Sequence, residues 1–187
     1  MSQFDTNWSF INEGDFTPKG FYFAGISAGL KTSKKKDLAL ILAPKGSICS
    51  GMFTQSTVRA DCVEICEQRI KRCSGQVRAI LINSGQANAC TGNFGTQHFL
   101  TATSNVSELL GIEEDEVLMC STGVIGVPIP INVLVKNLPK LVSELKVNSF
   151  QNAAEAILTT DLTCKKIVIE TNIEGRRIRI AGIAKGS

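Results

Sequence analysis

The stretch Val77–Gly92, VRAILINSGQANACTG, changes character at its middle. Val77–Ile82 is a compact run rich in apolar residues and reads as a strand. Asn83–Gly92 is too rich in small and polar residues for a strand and predicts a loop. Gly95–Leu110 then has the spacing of a helix. Strand, donor-rich loop and helix thus follow one another, and strand ends are where α/β architectures commonly place their sites. The loop carries two asparagines, a serine and a threonine among alanine and glycine spacers. Glycine lets a backbone approach a ligand closely. A strand-to-helix connection with Asx-type turns and a helix cap accounts for the same residues.

Downstream, Glu116–Cys120 is a second strand that ends in Ser121-Thr122-Gly123-Val124-Ile125-Gly126. A hydroxyl beside a glycine amide just past a strand can stabilise an oxyanion, provided both donors point where charge develops. A turn or helix cap explains that pair equally well. Val133–Lys146 and Phe150–Leu158 have helical spacing, and Thr159-Thr160-Asp161 stands where the second of these helices should end. Lys165–Thr171 and Arg176–Ile180 predict a hairpin joined through Asn172–Gly175. Its second strand runs on through Ala181–Ala184 and stops at Lys185-Gly186-Ser187 with no helix or cap to close it. Natural ends do fall in this way, and so does a chain cut from a longer precursor; the cut chain is the expectation here. Lys185-Gly186-Ser187 has the wrong order for a phosphate loop, which needs Gly-Lys-Ser/Thr. Lys185 can still hold a carboxylate by charge-assisted hydrogen bonds, although a lysine near an end is commonly solvated.

Upstream, Met1–Thr17 carries Phe4, Trp8, Phe10 and Phe16 in polar surroundings and reads as an extended arm whose aromatics dock on the body. Gly20–Leu30 alternates around Phe21, Phe23 and Ile26. Leu38–Ala43 is a short apolar run, Pro44-Lys45-Gly46 a turn, and Ser47–Phe53 resumes a strand pattern. Val63, Cys66, Ile70 and Cys73 are spaced for a helix. No repeat, linker or low-complexity block divides the chain, so residues 1–187 are expected to form one domain.

At 187 residues, with 43% hydrophobic and 20% charged residues, the chain has a globular composition. A net charge of +3 gives no support to nucleic-acid or membrane partners. The one basic run, Lys34-Lys35-Lys36, is expected to be a solvated turn. No segment approaches the roughly 20 apolar residues needed to cross a bilayer. Met1–Phe16 has no basic n-region or apolar h-region, so a cytoplasmic location is expected. Cys49, Cys62, Cys66, Cys73, Cys90, Cys120 and Cys164 are odd in number and irregular in spacing, which speaks against a disulfide framework. Without a CxxC pair, and with His98 as the one histidine, no metal site is expected. His98 lies within a predicted helix, so a serine or cysteine nucleophile with a histidine base is not expected either. No GxGxxG follows a strand. The residues leave loops suited to binding and oxyanion support, without an evident nucleophile.

GFYFAGISAGL (Gly20–Leu30), KDLALI (Lys36–Ile41), NSGQANACTG (Asn83–Gly92), CSTGVIG (Cys120–Gly126), TTD (Thr159–Asp161) and GIAKGS (Gly182–Ser187) occur in the order found in one enzyme family. From about Gly20 onward the chain resembles the bifunctional glutamate/ornithine N-acetyltransferases of the cyclic arginine pathway. The resemblance implies a precursor that cleaves itself before a threonine, which becomes the N-terminal nucleophile of a β chain; this chain would be the α chain. It implies a ping-pong transfer of acetyl from N-acetylornithine to glutamate. Some members also take acetyl-CoA as donor, and no cofactor is implied. By the same resemblance the Thr122 hydroxyl and Gly123 amide form the oxyanion hole, and Thr159 and Lys185 bind substrate. The implied fold is α/β, with layered sheets and helices shared with self-processing aminopeptidases, and not a doubly wound Rossmann fold. The implied assembly is a heterotetramer of two α and two β chains. Leu162-Thr163-Cys164 departs from the Thr-Phe-Pro-like sequence of many relatives, which leaves that local turn in doubt. A self-processing aminopeptidase of similar fold and a non-catalytic amino-acid-binding module are the alternatives.

Overall fold

The structure, a computed structural model, describes residues 8–14 and 16–186. Phe4 of the N-terminal arm and Ser187 lie outside the described residues. Among the described residues, seven strands and four α-helices follow in the order β1 (Ser9–Phe10), β2 (Tyr22–Ile26), β3 (Leu38–Leu42), α1 (Asp61–Arg72), β4 (Ala79–Gln86), α2 (Asn93–Leu110), β5 (Val117–Val124), α3 (Ile131–Ser143), α4 (Phe150–Ala156), β6 (Lys165–Ile173) and β7 (Arg176–Ala184). A 3-10 turn at Glu114–Glu116 leads into β5.

Two sheets divide the strands. One has the order β2-β3-β4-β5, antiparallel except for the parallel pair β4–β5, which α2 connects. The other has the antiparallel order β1-β6-β7. Period-two alternation sorts the apolar residues of the first sheet. Ala24, Leu38, Leu40, Ala79 and Leu81 face α1, α2 and α3, where Phe99, Val106, Leu134, Leu138 and Leu141 are buried against them. Phe23 and Ala39 face the other way, onto Phe150, Ala153 and Ile157 of the α4 region, with Val168 of β6 beyond. Helix α4 therefore lies between the two sheets, and the layers run helices, sheet, helix, sheet. This is an α/β fold without the two-sided winding of a Rossmann domain.

Local chemistry explains the tight joints. A Cβ at Gly25 would lie 2.1 Å from the Asn152 carbonyl oxygen, so glycine lets the α4 backbone rest directly on β2. Phe23 and Phe150 meet edge to face at 5.2 Å and 88°. Such a pair contributes about 0.5–1.5 kcal/mol beyond its burial. Helix α2 ends at Gly111 in the left-handed region, where the Ile112 N–H returns to the Ser107 carbonyl at 3.1 Å. The β6–β7 turn uses Glu174 and Gly175, both at positive φ, as a tight two-residue hairpin requires. No helix among the described residues is long and apolar enough to cross a membrane.

Several sequence expectations need correction. Asn83–Gln86 is strand, paired in register with Ser121–Val124, and Ser121-Thr122-Gly123 therefore lies within β5 and not past it. The polar side chains are accommodated because Ser84 Oγ donates to the Ala156 carbonyl at 2.6 Å and Asn83 Nδ2 to the Gln86 carbonyl at 3.0 Å. Ser47–Phe53 forms no strand. It leaves the sheet after Leu42, makes a backbone bond from Cys49 N–H to Gly75 O at 2.7 Å, and exposes Ile48 and Met52. In the arm, Phe16 packs near Phe150 as expected, whereas Trp8 and Phe10 stay exposed while β1 pairs with β6. Lys36 is no solvated turn residue: its ammonium donates to Glu155 Oε2 at 2.7 Å and Asn152 Oδ1 at 2.6 Å. All seven cysteines are free.

Candidate functional site

The C-terminal ends of β4 and β5 form the floor of the site. Ser84 pairs with Thr122, and Gly85 with Gly123. Both glycines have positive φ, 132° at Gly85 and 135° at Gly123. A Cβ at Gly123 would fall 2.3 Å from the Gly85 carbonyl, so the close approach of these two backbones requires glycine there.

The pairing also fixes where the Gly123 N–H points. The Ala87 N–H donates to the Val124 carbonyl, so even-numbered residues of β5 turn toward β4 and odd-numbered ones toward the open edge. On that edge Arg69 Nη1 of α1 donates to the Val117 carbonyl at 2.7 Å, and Cys66 Sγ donates to the Met119 carbonyl at 3.4 Å. Gly123 follows in the same odd series. Its N–H is thus aimed out of the sheet, four residues beyond Met119.

The turn after α4 forms a second wall. Ser84 Oγ fastens the Ala156 carbonyl and Lys31 Nζ fastens the Leu158 carbonyl at 2.9 Å, so the next residue, Thr159, is placed from both sides. The Asp161 carboxylate then ties the turn to the segment after β7. It accepts the Gly186 N–H at 2.7 Å, the Thr159 N–H at 3.3 Å and the Lys165 ammonium at 3.2 Å. The Gly186 amide, followed by the other two donors, holds the Asp161 carboxyl down at about 2, against the upward push of burial.

Lys185 closes the arrangement. Its ammonium donates to Thr122 Oγ1 at 2.5 Å and to Thr159 Oγ1 at 3.0 Å. Three residues that the sequence singled out, from three separate elements, therefore meet at one cation, with Gly123 adjoining. Each threonine hydroxyl keeps its own proton to donate elsewhere, and the ammonium keeps a third N–H. The site can offer several donors to a developing anion or to a carboxylate.

The rest of the Asn83–Gly92 segment does structural work. Asn88, at φ 46°, donates from Nδ2 to the Gly95 carbonyl of α2 at 3.1 Å, and Gly126 N–H reaches the Ala89 carbonyl at 2.9 Å. Lys31 and Ser84 were not read as site residues from the sequence; both lie inside quoted motifs or beside them, which was the available signal. His98 sits on α2 against Phe94, ring centroids 5.9 Å apart, with its Nδ1 buried and unbonded, and burial lowers its pKa. Cys66 is buried, its thiol pushed up to about 12 chiefly by desolvation, so it packs and caps and is no nucleophile. Leu162, at the departure from the expected turn sequence, is fully exposed.

Comparison with known proteins places the chain's sequence and fold among relatives. A family model described as the ArgJ family matches residues 22–187. The arginine biosynthesis bifunctional protein ArgJ of Prochlorococcus marinus subsp. pastoris is 72% identical over 177 residues, covering 95% of this chain and 44% of that protein. The protein of the same name from a Synechocystis species is 46% identical over 182 residues, covering 97% and 44%. The chain thus spans less than half the length of these curated relatives. Among solved structures, the arginine biosynthesis bifunctional protein argJ of Bacillus halodurans superposes with a TM-score of 0.90 at 32% identity, covering 98% of this chain and 95% of that one. Ornithine acetyltransferase of Mycobacterium tuberculosis, complexed with ornithine, gives 0.87 at 31% identity, covering 97% and 96%.

Proposed function

The chain belongs to the ArgJ family, and from that premise we propose that it supplies the oxyanion and substrate-binding half of an acetyltransferase that moves acetyl from N-acetylornithine to glutamate. The observation that carries this reading is the single ammonium of Lys185 joining the hydroxyls of Thr122 and Thr159 beside the outward-facing Gly123 amide. The nucleophile is the N-terminal threonine of a partner β chain from the same precursor. Its hydroxyl oxygen attacks the acetyl carbonyl carbon of N-acetylornithine. The Thr122 hydroxyl and Gly123 N–H donate to the carbonyl oxygen as it gains negative charge. Collapse breaks the amide bond, the proton given up by the attacking threonine hydroxyl goes to the departing nitrogen, and ornithine leaves. The amine of glutamate then attacks the acetyl-threonine ester, giving N-acetylglutamate and the free threonine. Splitting the transfer in two replaces one difficult step by two easier ones.

Lys185 has two parts in this scheme. Donation to Thr122 Oγ1 polarises that hydroxyl and makes it a stronger donor to the oxyanion. Its remaining N–H, with Thr159, holds the substrate carboxylate. Acetyl-CoA serves as a second donor to the same threonine. The two chains assemble as a heterotetramer in the cytoplasm, and no metal or cofactor takes part.

The test is acetyl transfer from N-acetylornithine to glutamate, without CoA, by the cleaved complex containing this chain. Formation of N-acetylglutamate with stoichiometric ornithine is the expected result. A cleaved, folded complex that forms neither product would overturn the reading, and hydrolysis of peptide amides in its place would assign the site to a peptidase.

A further inference from the structure

The segment that leaves the first sheet after Leu42 brings Cys49 to the end of α1, where Cys73 caps the helix. The Cys49 N–H donates to the Gly75 carbonyl at 2.7 Å. The contact is close, for a Cβ at Gly75 would lie 2.8 Å from the Cys49 carbonyl oxygen. Further along the segment, a Cβ at Gly51 would meet Ile70 Cδ1 at 3.4 Å. Ile70 and Cys73 stand three residues apart and so share one face of the helix end. Residues 49–51 therefore run along the part of α1 that carries Cys73, and both cysteines pack against the same apolar core.

Each thiol is held only loosely. Cys49 Sγ reaches the Ser50 carbonyl and Cys73 Sγ the Ile70 carbonyl, both at 3.8 Å, and a thiol is a weak donor even at shorter range. Both residues are half-buried, while Ile48, Ser50 and Ser74 beside them are exposed, so a small reagent can reach the sulfurs. Burial raises the Cys49 thiol pKa, and the nearby Cys73 raises it further, so charge on one sulfur is felt at the other. Cys62 and Cys66 are differently placed: both are buried, and the Cys66 thiol is pushed up to about 12. Disulfide partners need Cα atoms about 4.4–6.8 Å apart. A backbone hydrogen bond only two residues from Cys73 holds Cys49 in that neighbourhood.

We propose that Cys49 and Cys73 form an oxidation site, whose product is a disulfide fastening the segment after β3 to the end of α1, and whose oxidant is a small disulfide such as oxidised glutathione. One protein thiol loses its proton, and its sulfur attacks a glutathione sulfur, breaking the glutathione S–S bond and releasing one glutathione thiolate. The second protein thiol loses its proton and attacks the protein sulfur of this mixed disulfide, expelling the other glutathione. The two protons end on the two glutathione thiols. The protein gives up two electrons, and the small disulfide takes them. In reducing compartments such bonds are usually transient and redox-sensing. The inference goes beyond the acetyltransferase reading and does not depend on it.

Peptide mapping by mass spectrometry tests it. The folded, cleaved complex is incubated with oxidised glutathione, its remaining thiols are blocked, and its peptides are mapped without reduction. The expected result is a cross-linked pair that joins Cys49 to Cys73, lighter than the separate peptides by two hydrogens, and reopened by dithiothreitol. In a Cys73→Ser complex the Cys49 peptide should be recovered outside any protein cross-link. Free thiols at both positions in the wild type would overturn the proposal. So would a glutathione adduct that persists on either residue, or a bond from Cys49 to another cysteine such as Cys120 in either complex.

Discussion

Thr122, Thr159 and Lys185 illustrate how little a residue declares in isolation. Thr122 and Lys185 are 63 positions apart and Thr159 and Lys185 are 26 apart, yet one ammonium touches both hydroxyls. Read singly, each suited a turn, a helix end or solvent; the family motif named them, and folding brings them together. Their proposed roles separate in kinetics. Thr122→Ala should lower kcat by about 10²–10³-fold with KM for N-acetylornithine little changed, since an oxyanion donor acts in the transition state. Steady-state rates of the cleaved complex check this, and an unchanged kcat would exclude Thr122 from that role. Lys185→Ala should raise KM for N-acetylornithine about tenfold or more, as a lost charge-assisted hydrogen bond to a carboxylate costs about 1.5–3 kcal/mol. An unchanged KM would show that Lys185 contributes nothing to substrate binding.

Elements were legible where apolar periodicity was strong and illegible where polar residues found partners across the fold. The helices α1 to α4 and the β6–β7 hairpin were readable because spacing alone defines them. The ends of β4 and β5 were not, because small polar residues normally signal loops. Ser84 stays in the strand through a bond to Ala156, 72 residues away, which local sequence does not reveal. Ser47–Phe53 failed in the opposite sense: its pattern suits a strand, but among the described residues no neighbouring strand pairs with it. Asp37 is another long-range device, at the entry to β3 with three backbone donors. Asp37→Ala would leave those donors unsatisfied, at about 1–3 kcal/mol for each one that stays buried. A drop in Tm of several degrees or more is expected, with Asp37→Asn in between; thermal unfolding of both variants decides it, and a wild-type Tm for Asp37→Ala would refute the account.

Across the whole molecule, Asp161 couples the turn after α4 to the segment beyond β7. Its carboxyl titrates at about 2 in the folded chain, below the ordinary 3.8. A depressed carboxyl stabilises the fold fully above the unfolded value, and that contribution disappears as the pH falls from about 4 through about 2. Acidification through this window should therefore release Gly186 and loosen Lys185. Amide exchange at Gly186, or acid unfolding compared between wild type and Asp161→Asn, measures it; a midpoint unmoved by Asp161→Asn would contradict the assignment. The α/β layering was expected from resemblance to the family, whereas α4 lodged between two sheets was not readable from the spacing of its residues.

The hairpin has a consequence of its own. Lys185 stands one residue past β7, and Ala184 is held opposite Lys165 by the ladder that starts at the Glu174–Gly175 turn. The ribbon is in effect a measuring gauge whose zero mark is that turn. Inserting one residue into β7 would advance the ammonium by about 3.4 Å and throw it to the opposite face. The ribbon can therefore accept a change of exposed side chain along β7 far better than any change in its length.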